Sequence, residues 1–126
     1  MLEVRSIQTK KEQREICGLC NVEFDPDCLA YGAAENGKLL GVAQFRVHGE
    51  YAVIYDLANS AVTEDMEALV IMGKAMLNFI DLCGIKDVML KTQNQNLSEI
   101  LGFKRYAAGI YRINLEGYFD FPCKNK

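Results

Sequence analysis

Residues 63–84 read TEDMEALVIMGKAMLNFIDLCG, the longest stretch of the chain with helical periodicity. Its apolar residues recur at spacings of three and four, and polar or charged residues fall on the opposite side, so the pattern predicts an amphipathic helix with one buried face. We expect this helix to begin near Thr63 and to end at Gly84, because glycine adopts the left-handed conformation that closes many helices. The face expected to be buried comprises Met66, Leu69, Val70, Gly73, Met76, Leu77, Ile80 and Cys83.

The segments before this helix predict a strand, a helix and an antiparallel meander. Thr9 is placed to cap a helix over residues 10–20, which follows a short strand near the start of the chain. The pair Asn36-Gly37 lies between two apolar runs and favours a tight hairpin, because both residues tolerate positive φ. A second turn is expected at residues 48–50. The three strands of the meander are predicted over residues 29–34, 39–47 and 51–58.

The segments after the long helix predict three more strands and one short helix. Residues 87–92 are expected to form a strand, and Asn96 and Glu99 are spaced to cap a helix that Gly102 ends. Two closing strands are predicted over residues 103–107 and 110–115. The sequence therefore predicts an α+β fold in one domain over residues 1–126.

Composition narrows the possible partners. The chain has 126 residues, half of them hydrophobic, which is enough to bury a core. Its 14 Lys and Arg residues against 17 Asp and Glu give a net charge of −3, which favours a small uncharged or cationic ligand and argues against a nucleic-acid partner. No apolar run is long enough to span a bilayer, and the N-terminal MLEVRSIQTKK lacks the apolar run of a secretion signal. We therefore expect no membrane partner and a cytoplasmic location.

Five cysteines form an odd set without the dense spacing of a disulfide scaffold, so reduced thiols are expected. Cys17 and Cys20 make a CxxC pair. A zinc site needs about four ligands, however, and His48 is the only histidine, so no metal site is predicted. We expect both cysteines to lie on the inner face of one helix, where small apolar thiols are common.

The predicted order of elements, over nearly the whole chain, resembles that of the GNAT acyltransferase family. Two segments add to the resemblance. GKAML at residues 73–77 is similar to the family's third-helix segment, in which a basic residue and an aliphatic pair follow a glycine, and EILGF at residues 99–103 is similar to the family's LGF ending. The resemblance implies a mixed, mostly antiparallel central sheet of about six to seven strands flanked by helices.

The resemblance also implies a cofactor, acetyl-CoA. Family members hold its pyrophosphate with backbone N–H groups where the fourth strand runs into the third helix, since these groups have no partner within the helix and the helix dipole is positive there. The residues implied as cofactor contacts are Ala58, Val62, Gly73, Lys74 and Asn96. Asn94 also follows the fifth strand, where the family often has an Asn that contacts the cofactor. The alternatives are close packing of the helix on the sheet for Gly73, a solvated side chain for Lys74 and a helix cap for Asn96.

The family's pyrophosphate motif is Gln or Arg, two residues, Gly, one residue, then Gly or Ala. No register fits it here, because the segment from Ala58 to Ile85 contains neither Gln nor Arg. Glu64, Asp65 and Glu67 fall near the expected helix start, where they use the field that a phosphate needs and repel the phosphate itself. We therefore expect a coenzyme A site that is eroded or rebuilt.

Two catalytic candidates, Asp56 and Ser98, follow from the resemblance, and two tyrosines are alternatives to Ser98. Asp56, in the segment YDLAN, matches a position where the family often carries an acid, and it is the candidate general base; the alternative is a solvent-facing or turn-capping carboxylate. The family often places an acidic Tyr four residues before the glycine of its LGF ending, and that position here is Ser98, whose hydroxyl is far less acidic than a phenol. Tyr106 and Tyr111 are the alternative proton donors, although tyrosines are also common on half-buried strands.

Two functions remain open at this point. The first is an acyl-CoA-dependent N-acyltransferase, acetyltransferase-like, that acts on an unidentified small-molecule or peptide amine. The second is a non-catalytic module of the same fold that binds a different small ligand or a protein partner, because fold alone does not fix function. The C-terminal segment GYFDFP at residues 117–122 either covers the core or packs on a second subunit, so a homodimer is also possible.

Overall fold

The computed structural model describes residues 1–120, which form a seven-stranded sheet with three helices. The strands are ordered β1-β2-β3-β4-β5-β7-β6, and among them only β4 and β5 pair in parallel. This mixed, mostly antiparallel sheet confirms the predicted fold class and strand count. The elements are β1 Leu2–Ser6, α1 Lys10–Leu19, β2 Leu29–Glu35, β3 Lys38–Val47, β4 Tyr51–Asn59, α2 Met66–Leu82, β5 Asp87–Lys91, α3 Gln95–Leu101, β6 Lys104–Ala107 and β7 Ile110–Asn114.

Strand β4 parts from β5 halfway along its length. Its residues 51–54 pair with residues 87–90 of β5, whereas its pairing with β3 continues to Asn59. Ile54 and Asp56 of β4 pair with Phe45 and Gln44, which are adjacent residues of β3. Tyr55 is therefore an extra residue between the two pairs and makes a β-bulge. Residues 55–59 therefore have no strand partner on the β5 side within the described chain. We call the opening beside residues 55–59 the β4–β5 notch.

The helices cover opposite faces of the sheet. The buried side of α2 packs with Ala43 and Phe45 of β3, whereas Cys17 of α1 and the adjoining Cys20 pack with Val42 of the same strand. Neighbouring residues of a strand point to opposite faces, so α1 and α2 lie on different sides. Cys17 and Cys20 are buried and free, as the sequence predicts for an inner helical face. No helix of residues 1–120 is long and apolar enough to cross a bilayer.

Two helix boundaries differ from the sequence prediction. Helix α2 begins at Met66 and not near Thr63, because Asp65 caps it and accepts a hydrogen bond from the Ala68 N–H at 3.0 Å. Helix α3 is capped by Asn94, whose Oδ1 accepts from the Leu97 N–H at 3.0 Å, and not by Asn96. Both errors arise because several polar residues precede each helix, and the geometry of the preceding loop selects which of them becomes the cap.

Gly73 allows α2 to pack closely against α3, whereas the sequence predicts close packing against the sheet. A Cβ atom at Gly73 would lie 2.8 Å from Leu101 Cδ1, so the glycine allows α3, rather than the sheet, to approach α2 closely. Tyr118 covers the same corner, because its hydroxyl donates to the Leu101 carbonyl at 2.7 Å. The described part of the GYFDFP segment thus packs on the core. Residues 121 and 122 of that segment lie outside the described residues.

Replacing Gly41 with alanine is expected to lower the free energy of unfolding by about 2 kcal/mol, because the new Cβ overpacks a fixed backbone. That atom would lie 2.6 Å from the Ala58 carbonyl oxygen on the neighbouring strand. Gly18 of α1 is the matched control, since a Cβ there has nothing within 4 Å and alanine is the better helix former. Urea unfolding of both variants measures the difference. Equal stabilities for the two variants would contradict the close approach of β3 and β4 at this point.

Candidate functional site

A cleft with a volume of about 490 Å³ lies beside the bulge of β4. One wall is the loop that joins α1 to β2, and the other wall is β4 itself. Three carboxylate side chains line the cleft, and no Lys or Arg is among its described lining residues. Such a cleft favours a cationic ligand over an anionic one. We call it the acidic cleft, and its lining residues are Glu23, Phe24, Asp25, Pro26, Tyr55 and Asp56.

Asp56 is the half-buried carboxylate of this cleft. Its Oδ2 accepts a hydrogen bond from Gln44 Nε2 at 2.8 Å. Burial raises the pKa of the Asp56 carboxyl, and the negative charges of Asp25 and Glu23 raise it further, against the opposing effect of the Gln44 hydrogen bond. A carboxylate with a raised pKa is a stronger proton acceptor than an ordinary aspartate. Asp56 is thus chemically suited to the role of general base.

Gln44 fixes the position of Asp56. Its side chain is fully buried on β3, and the amide is saturated by four hydrogen bonds. The Nε2 group donates to Asp56 and to the Glu23 carbonyl at 3.0 Å, while Oε1 accepts from Gln13 Nε2 at 2.8 Å and from the Asp25 N–H at 3.1 Å. Since a backbone N–H must meet Oε1 and a backbone carbonyl must meet Nε2, the amide has one orientation, and that orientation presents a donor to Asp56.

Two further residues extend this network to helix α1. Gln13 is buried, and its Nε2 also donates to the Asp25 carbonyl at 3.1 Å. Lys10 Nζ donates to Gln13 Oε1 at 3.0 Å and to the Cys28 carbonyl at 2.6 Å. The buried amides therefore tie the start of α1 and the loop wall of the acidic cleft to the strand that carries Asp56. Networks in which every polar group is satisfied rigidify a site.

The other catalytic candidates do not line the acidic cleft. Ser98 is fully buried in α3, and its hydroxyl donates to the Asn94 carbonyl at 3.1 Å. Tyr111 is buried with the core residues under α2, on the opposite face of the sheet from Asp56. Tyr106 is 61% exposed on β6, and it lines a separate cleft together with Tyr51. Tyr51 begins β4 and lies about 17 Å along the strand from Asp56.

In the loop between β4 and α2, where the resemblance places the pyrophosphate, four N–H groups are already bonded, those of Ser60, Ala61, Thr63 and Asp65. The Ser60 N–H donates to the Leu40 carbonyl and the Ala61 N–H to the Leu19 carbonyl, both at 2.9 Å. The Asp65 N–H donates to Asn59 Oδ1 at 3.1 Å. The Asp65 carboxylate itself occupies the cap of α2, the position that a bound anion takes at a helix start. As built, this loop does not fit a diphosphate.

The residues implied as cofactor contacts lie on β4, in the β4–α2 loop, on α2 and on α3. Val62 is 85% exposed in the loop, whereas Ala58 is half-buried on β4. Lys74 is exposed about 12 Å along α2 from its first residue, and its Nζ lies 5.8 Å from the centroid of the Tyr118 ring. Asn96 is exposed in the first turn of α3. Lys74 thus has the solvated position that the sequence offered as the alternative, with its ammonium near an aromatic ring.

The buried thiols do not form a metal site. In the described chain, no group of three or more His, Cys, Asp or Glu side chains is arranged to hold a metal ion. Burial raises the pKa of Cys17 and of Cys20 to about 11, and burial together with the charge and hydrogen bond of Asp25 raises that of Cys28 to about 12. These thiols are therefore protonated and unreactive at neutral pH.

No protein-family model and no curated protein matches this sequence. Solved structures do match the fold. A GNAT-family acetyltransferase from Brucella melitensis in complex with acetyl-CoA gives a TM-score of 0.70 at 13% identity, over 90% of this chain and 88% of that one. The PaiA N-acetyltransferase of Thermoplasma acidophilum in complex with coenzyme A gives 0.69 at 11% identity, over 90% and 97% of the two chains. The ribosomal-protein-S18-alanine N-acetyltransferase of Escherichia coli gives 0.67 at 15% identity, over 90% of each chain.

The chain therefore has the GNAT fold, as the order of its elements predicts. Its sequence has diverged far from these three structures, since the identities lie between 11% and 15%. At this level of identity the agreement concerns the fold, and any function has to be argued from the site.

Proposed function

We propose that this chain is an N-acyltransferase that acylates a cationic amine bound in the acidic cleft. The principal support is the state of Asp56, a half-buried carboxylate with a raised pKa that is fixed by Gln44 and lines the cleft with two further acids. The same carboxylate adjoins the notch where β4 leaves β5. A bound amine and an extended acyl donor lying along β4 would meet at this point.

In this proposal the carboxylates of Glu23 and Asp25 attract the ammonium group, and Asp56 accepts its proton. The freed amine then attacks the acyl carbon of an activated donor, a thioester in the acetyltransferases of this fold. A bond from nitrogen to carbon forms, the bond from carbon to sulfur breaks, and the departing thiolate takes up the second proton that the attacking nitrogen loses. Because a thioester is already activated, proximity and proton removal supply much of the rate. We assign no role in proton transfer to Ser98, Tyr106 or Tyr111.

A specific observation favours a second function, a non-catalytic module that binds a small ligand. In the β4–α2 loop the N–H groups of Ser60, Ala61, Thr63 and Asp65 are bonded within the protein, and Asp65 caps α2. A protein that has lost its acyl donor would retain an acidic cleft without performing transfer. In both functions the cleft binds a cation, and only the enzyme forms an acylated product. Acetyl-CoA as donor, the cytoplasmic location and the homodimer stay predictions.

Calorimetric titration with 1,4-diaminobutane and with 1,4-butanediol tests the preference of the cleft. We expect the diamine to bind at least tenfold more tightly than the diol at low salt, because the two ligands differ mainly in charge. The double substitution E23Q/D25N should weaken diamine binding about tenfold and leave the diol unaffected. E99Q, which removes an exposed carboxylate from α3, is the matched control. Equal affinities for the diamine and the diol would contradict the proposed substrate class.

A further inference from the structure

We infer that the chain has a second ligand site, which binds a free amino acid with an aromatic side chain as a zwitterion. The site is a cleft of about 350 Å³ on the sheet. We call it the tyrosine cleft, and its lining residues are Glu50, Tyr51, Asp87, Met89, Tyr106 and Arg112. The described linings of this cleft and of the acidic cleft have no residue in common, so the second site does not depend on the proposed function.

Strand β5 shows on which face of the sheet the tyrosine cleft lies. Val88 and Leu90 are buried in the core under α2, so Asp87 and Met89 point to the opposite face, the one that carries α1. Helix α1 packs with Val42 of β3, two strands away from β5. On β5 itself Asp87 is exposed and Met89 is half-buried. The floor of the cleft is therefore accessible to a ligand.

Two opposite charges lie apart on this floor. Arg112 pairs with Met89 across the sheet, which makes Arg112 and Asp87 diagonal neighbours with Cα atoms about 7 to 8 Å apart. They form no ion pair within the described chain. Each has another contact, because Asp87 Oδ1 accepts from Asn114 Nδ2 at 3.0 Å and the Arg112 guanidinium lies 5.0 Å from the centroid of the Tyr106 ring. A cation and an anion thus remain separated by the side chain of Met89.

The separated charges match the two charged groups of an amino acid. The guanidinium of Arg112 presents N–H donors in a planar fork that fits a carboxylate, and no acceptor of the described chain engages them. The carboxylates of Asp87 and Glu50 attract an ammonium group. Because an α-amino acid carries its ammonium and carboxylate groups on one carbon, it can reach both Asp87 and Arg112 from a position above Met89.

The remaining lining residues favour an aromatic side chain. Tyr51 and Tyr106 lie on β4 and β6, which are about 14 Å apart in the sheet, with the thioether of Met89 between them. The Tyr51 ring is stacked on that of His48, with centroids 4.9 Å apart and planes at 14°, so it forms a firm wall. A ligand ring on this floor would contact the Met89 sulfur and cover apolar surface of a tyrosine that is 45% exposed.

Amide NMR of the protein titrated with L-phenylalanine tests the site, because it reports where a ligand binds. We expect the signals of Met89 and Arg112 to shift and that of Asp56 to stay in place. Three matched probes each lack one group: 3-phenylpropanoate the ammonium, 2-phenylethylamine the carboxylate and L-alanine the ring. At the Arg112 signal each probe should bind about tenfold more weakly than L-phenylalanine, since each loses one set of contacts.

The variant R112Q tests the carboxylate contact. We expect it to weaken L-phenylalanine and 3-phenylpropanoate about tenfold and to leave 2-phenylethylamine unchanged at the Met89 signal. R105Q is the matched control, because Arg105 is exposed on β6 and lies outside the described lining of the tyrosine cleft. Both variants should keep the wild-type melting temperature, since both side chains are exposed.

Three results would overturn the second site. The first is the absence of shifts at Met89 and Arg112 with L-phenylalanine at about 10 mM, a concentration at which even a weak ligand of this size binds. The second is displacement of L-phenylalanine by 1,4-diaminobutane, which would locate it in the acidic cleft. The third is equal affinity of R112Q and R105Q for L-phenylalanine. Acyl transfer is measured separately, so failure of the second site would leave the proposed function intact.

Discussion

Replacing Asp56 with asparagine is expected to lower kcat/KM for acyl transfer by about two to four orders of magnitude, the usual contribution of a general base. The melting temperature should stay the same or rise. Asparagine is close in size, and its Oδ1 can accept the hydrogen bond that Gln44 Nε2 now donates to the carboxylate. Loss of activity without loss of stability would distinguish a proton acceptor from a residue that only supports the fold.

The raised pKa of Asp56 determines how both the stability of the protein and the rate of acyl transfer change with pH. Because the folded state holds the Asp56 proton more tightly than the unfolded state, ionisation costs stability, and this cost appears as the pH rises from the ordinary aspartate pKa through the folded one. Asparagine removes this cost. The rate should rise with pH over the same range, because the base must be ionised to accept a proton. In D56N this acidic limb should disappear from the kcat/KM profile.

The matched control for D56N is D27N, which changes an exposed carboxylate of the same loop outside the lining of the acidic cleft. We expect D27N to keep wild-type activity and the acidic limb of the pH profile. Retention of more than a tenth of wild-type kcat/KM by D56N would exclude Asp56 as the base. The cleft would then act in binding alone.

Replacing Gln44 with methionine is expected to lower the free energy of unfolding by about 3 kcal/mol, because a buried amide with four hydrogen bonds is lost and its partners are left unsatisfied. The Asp25 N–H and the Glu23 carbonyl lose their side-chain partner, and Gln13 Nε2 loses one of its two acceptors. For a chain of this length the melting temperature should fall by about 10 °C. Differential scanning calorimetry measures the change.

Methionine at Gln44 keeps the volume of the side chain, so the effect isolates the polar contacts. Q8M is the control, because Gln8 is exposed and its substitution should change stability by less than about 0.5 kcal/mol. We also expect Q44M to lose activity at temperatures where it is still folded, since Asp56 and the loop wall of the cleft are no longer held together. A Q44M variant as stable as Q8M would show that the buried network does not organise this site.

Most of the fold is predictable from the sequence because its signals are local. The α2 periodicity, the Asn36-Gly37 turn and the glycine at the end of α3 each specify one element within a few neighbouring residues. Order along the chain then restricts the topology, because antiparallel neighbours tend to be consecutive. The sequence misplaces the starts of α2 and α3, because several adjacent polar residues could act as the N-cap. The position of the preceding loop decides which of them does.

The candidate site is less predictable than the fold, because its parts meet only through tertiary structure. Asp56 follows from the resemblance, but Gln44 was missed, although it is a polar residue inside the otherwise apolar run GVAQF at residues 41–45. A polar residue within a buried strand is the signal that identifies Gln44, because a buried amide requires hydrogen-bond partners. Glu23 and Asp25 precede Asp56 by 33 and 31 residues, and no local pattern places them on the opposite wall of its cleft.

The central claim is that Asp56 and the acidic cleft catalyse acyl transfer to a cationic amine. The most direct measurement is mass spectrometry of 1,4-diaminobutane incubated with a thioester donor, S-acetylpantetheine or acetyl-CoA, and either the wild-type protein or D56N. We predict that the wild-type protein forms N-acetylated diamine over many turnovers, and that D56N forms product at least a hundredfold more slowly. Product formation equal to a protein-free blank, with either S-acetylpantetheine or acetyl-CoA as donor, would contradict the claim and leave cation binding as the function of the cleft.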